Sequence, residues 1–277
     1  MFFSMIFNKC RWFKNGIFLF ICGLSHFDLA IAAKNQDVLT IKACKEELTS
    51  YDASLPHLIS QYSKNIKHKD FACTITSAVN AFQFFRIKHG YLPHKNPVRL
   101  VNRLFDMMPY TATRGSAVNE VVLMFEDLLG FNMGKDSYTV KTETASTDIH
   151  ASKNSNIIEL LTQESDAKLI NLDIKSTNGQ TPNEYSTHTV LLLNIDEKFK
   201  KLKNFKTQKK FKIVVVDPSM DSPKPIELSF KPIIINGTAS IEVDLSSHPL
   251  IEEYKKTLGN SVQFYAYSVV SAHFSKN

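Results

Sequence analysis

The chain has 277 residues, 43% of them apolar and 22% charged, which is too hydrophobic for a disordered protein. Nine Gly and ten Pro exclude a collagen-like or low-complexity chain, and four Cys are too few for a disulfide scaffold of this length. The formal charge of +6 is modest, and much of it comes from one segment discussed below.

Met1 to Ala33 reads as a secretory signal. Lys9, Arg11 and Lys14 form a basic start, Gly16 to Leu24 (GIFLFICGL) is the apolar stretch, and Ala30, Ala32 and Ala33 are small residues of the kind a signal peptidase needs. His26 and Asp28 interrupt the apolar run, which argues against an uncleaved span. Cleavage after Ala32 or Ala33 would leave residues 34–277 as a single secreted or periplasmic domain. Losing Lys9, Arg11, Lys14 and Asp28 lowers the charge from +6 to +4. Cys10 and Cys22 leave with the signal. Cys44 and Cys73 remain, either as one bridge or as one reactive thiol and a spare.

Downstream, Lys42 to Ser63 is predicted as a loose helix. Cys73 to His89 has apolar residues at helical spacing (Ile75, Ala78, Val79, Phe82, Phe85), with Gly90 as its stop. Asn96-Pro97 is a cap followed by a first-turn proline and opens PVRLVNRLFDMM. Ser116 opens a third helix that Gly130 is expected to close, and Asn154 to Glu164 is a short fourth. The texture then changes to strands: Lys168–Ile174, His188–Ile195, Phe211–Val216, Ile226–Ile235, Ser240–Leu245 and Val262–Phe274. Helices first and a mostly antiparallel sheet afterwards is an α+β order.

Three residues in this pattern carry chemistry. Cys73 stands at a helix start, where free N–H groups and the helix dipole stabilise a thiolate. His188 opens a strand, and Asp217 ends the next one. If those strands are adjacent, the carboxylate can orient the imidazole that takes the thiol proton.

That arrangement resembles the papain-like cysteine peptidase superfamily. Thr187-His188-Thr189-Val190-Leu191-Leu192 and Val216-Asp217-Pro218 are similar to the bacteriocin-leader peptidases. Ala72-Cys73, Val79-Asn80-Ala81-Phe82 and Gly179-Gln180 are similar to the phytochelatin synthases. The resemblance spans about Ser60 to Ser219, and it implies a papain-like fold and a Cys73–His188–Asp217 triad acting on a peptide or isopeptide amide, or on a γ-glutamyl-cysteine bond. Two positions depart from the pattern. Thr74 stands where those families usually have Gly after the nucleophile. Lys67 stands where they have the Gln that serves the oxyanion hole. Asn65, or Gln61 through a longer loop, could supply that donor, and Asn65 is taken as the oxyanion residue. The alternative is a non-catalytic binding protein on the same scaffold.

The remaining features are plainer. The other histidines, His248 among them, read as structural or solvated. No H-E-x-x-H, C-x-x-C, P-loop or G-x-G-x-x-G occurs, so neither a metal, a cofactor nor a nucleotide is expected. Lys198 to Lys212 carries eight Lys and no acid, a hairpin that could meet an anionic surface through interleaved Phe199 and Phe205.

Overall fold

The computed structural model describes residues 58–111, 116, 120–133, 138–147, 156–176, 188–201, 209–235, 237–258 and 262–277. The signal-peptide expectation, Cys44, Gly179-Gln180, Phe205 and most of the helix predicted at 42–63 lie outside them. The described end of that predicted helix, Leu58 to Ser63, is bends and turns.

The N-terminal half follows the apolar periodicity. Helix α1 (Cys73–Lys88) buries most of its surface, with Ile75, Ala78, Val79, Phe82 and Phe85 in the core. It stops as predicted: Gly90 takes φ +76°, Tyr91 N–H donates to the Arg86 carbonyl, and Gly90 N–H donates to that of Ile87. In α2 (Pro97–Met107), Asn96 Oδ1 accepts the Arg99 N–H at 3.1 Å, the cap that the Asn-Pro pair predicted. Helix α3 (Val121–Asn132) differs from expectation, because it runs through Gly130 to Asn132. The Arg86 guanidinium donates to the Asn132 carbonyl at 2.9 Å, so the helix end is satisfied from a neighbouring helix and needs no glycine.

The C-terminal half is antiparallel. Its strands are β1 (Tyr138–Ser146), β2 (Ala167–Ser176), β3 (His188–Ile195), β4 (Phe211–Val216), β5 (Pro225–Ile235), β6 (Thr238–Asp244) and β7 (Val262–Lys276). Short helices intervene: α4 (Ile157–Thr162), α5 (Glu197–Lys200) and α6 (Ile251–Leu258). The sheet order β1-β7-β2-β3-β4-β5-β6, with β6 also pairing β7, closes a six-stranded barrel and leaves β1 as an extra strand. Strand β7 makes both arrangements possible. Its first part pairs β6 at Phe264 and Tyr265, and its second part, Ser268 to Lys276, pairs β1.

Period-two alternation separates two cores. Leu169, Leu191, Val216, Val270, Ala272 and Phe274 face the helices. Ile170, Leu172, Val190, Leu192, Ile213 and Val215 face the barrel interior, where α4 adds Ile157, Ile158, Leu160 and Leu161. The structure is therefore α+β, with N-terminal helices packed on an antiparallel barrel. Among the described residues, no helix is long and apolar enough to cross a membrane.

Candidate active site

Strands β3 and β4 are antiparallel neighbours with Leu191 opposite Val216. The start of β3 therefore lies beside the end of β4, and the residues there are His188 and Asp217. Helix α1 packs over β2 and β3 and brings its first residue to the same corner. Cys73 is a free cysteine at this corner, and its thiol lies within reach of the His188 charge. The structure thus brings together three of the residues singled out from sequence.

His188 Nε2 is 2.7 Å from Asp217 Oδ1. An ionised carboxylate only accepts, so Nε2 carries the proton and Nδ1 is left to face the sulfur. Asp217 is 2% exposed and is held by several donors. Ser219 donates its N–H at 2.7 Å and its hydroxyl at 2.6 Å to Oδ1, and the Tyr254 hydroxyl donates to Oδ2 at 3.1 Å. His248 Nε2 also lies 3.0 Å from Oδ2, though bent away from a linear hydrogen bond. Leu250 N–H donates into His248 Nδ1 at 3.0 Å, which leaves the proton on Nε2, facing the carboxylate. A buried carboxylate stays ionised only with such company. Beneath the pair, a cavity of about 10 Å³ between Asp217, His248, Tyr254 and the apolar barrel residues has room for roughly one water.

The proton balance follows from these contacts. Burial pushes the Cys73 thiol up, but the His188 hydrogen bond and charge, with help from the Thr189 backbone N–H, bring it down to about 7. Burial would lower His188, and the Asp217 charge and hydrogen bond override it, raising the imidazole to about 10. Burial would likewise raise Asp217, yet the His188 charge and the surrounding donors hold it well below the usual carboxylate range. The thiol is drawn down and the imidazolium up, the direction that favours thiolate and imidazolium over thiol and neutral imidazole.

Asn65, the oxyanion residue expected from sequence, is not brought into this group. It is exposed at φ 71°, and its carbonyl accepts from Asn102 Nδ2 at 2.7 Å. Lys67 is likewise turned to α2, with its N–H on Asn102 and its ammonium 2.6 Å from Asp106. The physical reason lies in the loop. Residues 62–65 turn outward before Ile66 returns to the core and the 3₁₀ turn Lys69–Phe71 leads into α1, which leaves Asn65 at the surface. Gln61 is the amide that stays inside. Asn80 makes two hydrogen bonds to the backbone of Ile59, and Gln61 N–H then donates to the Pro218 carbonyl at 2.7 Å, next to Asp217. Gln61 is buried, and its Nε2 donates to the Lys69 carbonyl at 3.2 Å. Its neighbour Tyr62 lies within electrostatic reach of both Cys73 and Asp217.

Sequence reasoning read His248 only as structural or solvated and did not single out Tyr254, since no motif or spacing ties either to Asp217. Ser219 was legible in principle, because an Asp whose side chain accepts the N–H two residues on is a common turn, and Asp217-Pro218-Ser219 is written for one. Among the described residues, no group of three His, Cys, Asp or Glu side chains could hold a metal ion. In the basic segment, Phe199 is core, with its ring 4.7 Å from that of Phe230. Lys210 and Lys212 pair with Asp244 and Glu227 at 2.8 and 2.7 Å.

Set against protein families, curated proteins and solved structures, the chain matches none.

Proposed function

We propose that this chain is an exported thiol hydrolase or acyl transferase of papain-like type, acting on a peptide or isopeptide amide. The observation that carries the reading is the meeting of Cys73, His188 and Asp217 at one corner, where the His188 charge draws the thiol down to about 7. Helix start, strand start and strand end supply nucleophile, base and orienter in the order that papain-like enzymes use. The thiolate attacks the amide carbon, and the carbonyl π electrons move to oxygen. As the C–N bond breaks, the His188 imidazolium gives its proton to the leaving amine, and a thioester remains. Neutral His188 then takes a proton from water, or from an acceptor amine, as that nucleophile attacks the thioester. The acid or new amide leaves, and the thiolate–imidazolium pair is restored.

The oxyanion needs two donors. The Cys73 backbone N–H is one, since no side chain caps α1. Gln61 replaces Asn65 as the second candidate, because it stays buried with its backbone N–H on the Pro218 carbonyl beside Asp217, and its amide would have to turn from Lys69 and Tyr62 to serve. That same Lys69 bond favours the second reading, a non-catalytic binding protein whose amide is tied back. Mass-spectrometric labelling with iodoacetamide separates the two. The enzyme reading expects fast modification of Cys73 at pH 6–7 and complete loss of peptide cleavage in Cys73→Ala, with folding unchanged. A thiol that titrates near the free value of about 8.5 would sink it.

A further inference from the structure

We infer that the buried hydroxyl pair Thr74–Thr189 is a positioning clamp that sets the distance between sulfur and imidazole, an inference that rests on the thiol-enzyme reading. Each member is the immediate chain neighbour of a reacting residue, Thr74 of Cys73 and Thr189 of His188. Their Oγ1 atoms are 2.7 Å apart, across the junction of α1 and β3. Both residues are buried, at 5% and 3% exposure.

The direction of the bond is determined by its partners. Thr189 Oγ1 donates to Asn171 Oδ1 at 2.7 Å, and Asn171 Nδ2 donates to Ser268 Oγ at 2.8 Å. A hydroxyl has one proton, and that of Thr189 is committed to Asn171, so Thr74 is the donor to Thr189. A second hydroxyl of α1, Ser77, donates to the Thr189 carbonyl at 3.0 Å. Thr189 thus engages α1 through side chain and carbonyl, while its own N–H faces the Cys73 sulfur. The chain of bonds ends at a register shift of β2 against β7 between Asn171 and Leu172, directly opposite Thr189 and His188. Such a bulge bends a strand locally and re-aims its side chains.

The clamp also accounts for Thr74 in place of the glycine that the sequence resemblance led one to expect. Glycine at this position could not hold β3, and valine, though of the same shape, could not donate. The titratable groups facing the sulfur are His188 and, at longer range, Tyr62. The Thr74 hydroxyl also lies 4.0 Å from the sulfur, a weak contact that itself helps to lower the thiol. Thr189→Val leaves that contact in place, so a shift there acts through geometry.

The test is the pH dependence of Cys73 alkylation by iodoacetamide in the full chain, alongside thermal melting. Thr74→Val should move the half-ionisation point of the thiol up by about one unit, so that the rate at pH 6 falls about tenfold. Thr74→Ser, which restores the donor, should stay within about twofold of the wild type. Thr189→Val removes the other hydroxyl, keeps the backbone N–H and should reproduce the shift; it decides the matter if Thr74→Val does not melt cooperatively. A wild-type profile retained in the valine variants, with only a lowered melting temperature, would mean an ordinary structural hydrogen bond and overturn the clamp. A wild-type thiol already titrating like free cysteine would instead overturn the enzyme reading, and the clamp with it.

Discussion

At the scale of single residues, the site is a set of charges that survive burial because each has partners. Asp217 is the clearest case. Ser219, Tyr254, His188 and His248 all stand at its two oxygens, and burial without them would neutralise it. Gln61 is the residue on which the rate should depend most after the triad. Gln61→Ala is expected to lower kcat by roughly 10²–10³ while leaving the pH profile of Cys73 alkylation in place, because an oxyanion donor acts in the transition state and not on the resting thiol. Single-turnover cleavage and alkylation, measured side by side, check both halves. An equal loss in both would assign Gln61 to the fold instead.

At the scale of elements, α1 is the piece on which fold and site both depend. It crosses the helical core, packs on β2 and β3, and carries Cys73 as its first residue. Phe82 is fully buried in it. Phe82→Ala should cost about 3–5 kcal/mol in urea unfolding, the range for deleting a buried aromatic ring whose surroundings collapse only in part. A cost below about 1 kcal/mol would show that the helical core is much looser than its burial implies. By contrast, the Lys231–Glu242 pair spans β5 and β6 on the barrel surface at 3.0 Å, and as a partly exposed pair it contributes little.

The whole molecule registers the site through its pH–stability curve. Cys73 falls from its ordinary 9.0 to about 7, and His188 rises from 6.5 to about 10. The sign of each contribution differs. A raised histidine stabilises fully below its unfolded value and loses that contribution as pH climbs toward its folded one. A depressed thiol gains stability as pH rises from its folded to its unfolded value. Between about pH 7 and 9 the native pair binds one proton and so does the unfolded one, on sulfur instead of nitrogen, so the two slopes cancel. Wild-type stability should therefore be flat across that window. Cys73→Ala removes the compensating group and should lose up to roughly 1.4 kcal/mol per pH unit there. Chemical denaturation at pH 7, 8 and 9 measures it, and parallel curves for the two proteins would refute the ion-pair assignment. Asp217, depressed below its ordinary value of 3.8, contributes above that value and loses its contribution only as pH falls through its lowered one.

Periodicity alone was enough to specify the helices at 73–88 and 97–107, the strands from 168 onward, and the helix-then-sheet order, because apolar spacing and caps act locally along the chain. It also marked Cys73, His188 and Asp217, since a helix start, a strand start and a strand end are local features. Strand β1 was hidden by its polar sequence, YTVKTETAS, which buries only Ala145 fully among the residues of that strand. Closure of the barrel depended on the length of β7, which changes partner halfway along and has no local signature. The burial of Gln61 and exposure of Asn65, the arrival of His248 and Tyr254 at Asp217, and the Thr74–Thr189 contact belong to the tertiary structure alone. Each joins segments distant in the chain, and only the packing of α1 and α6 against the barrel decides which side chains meet there.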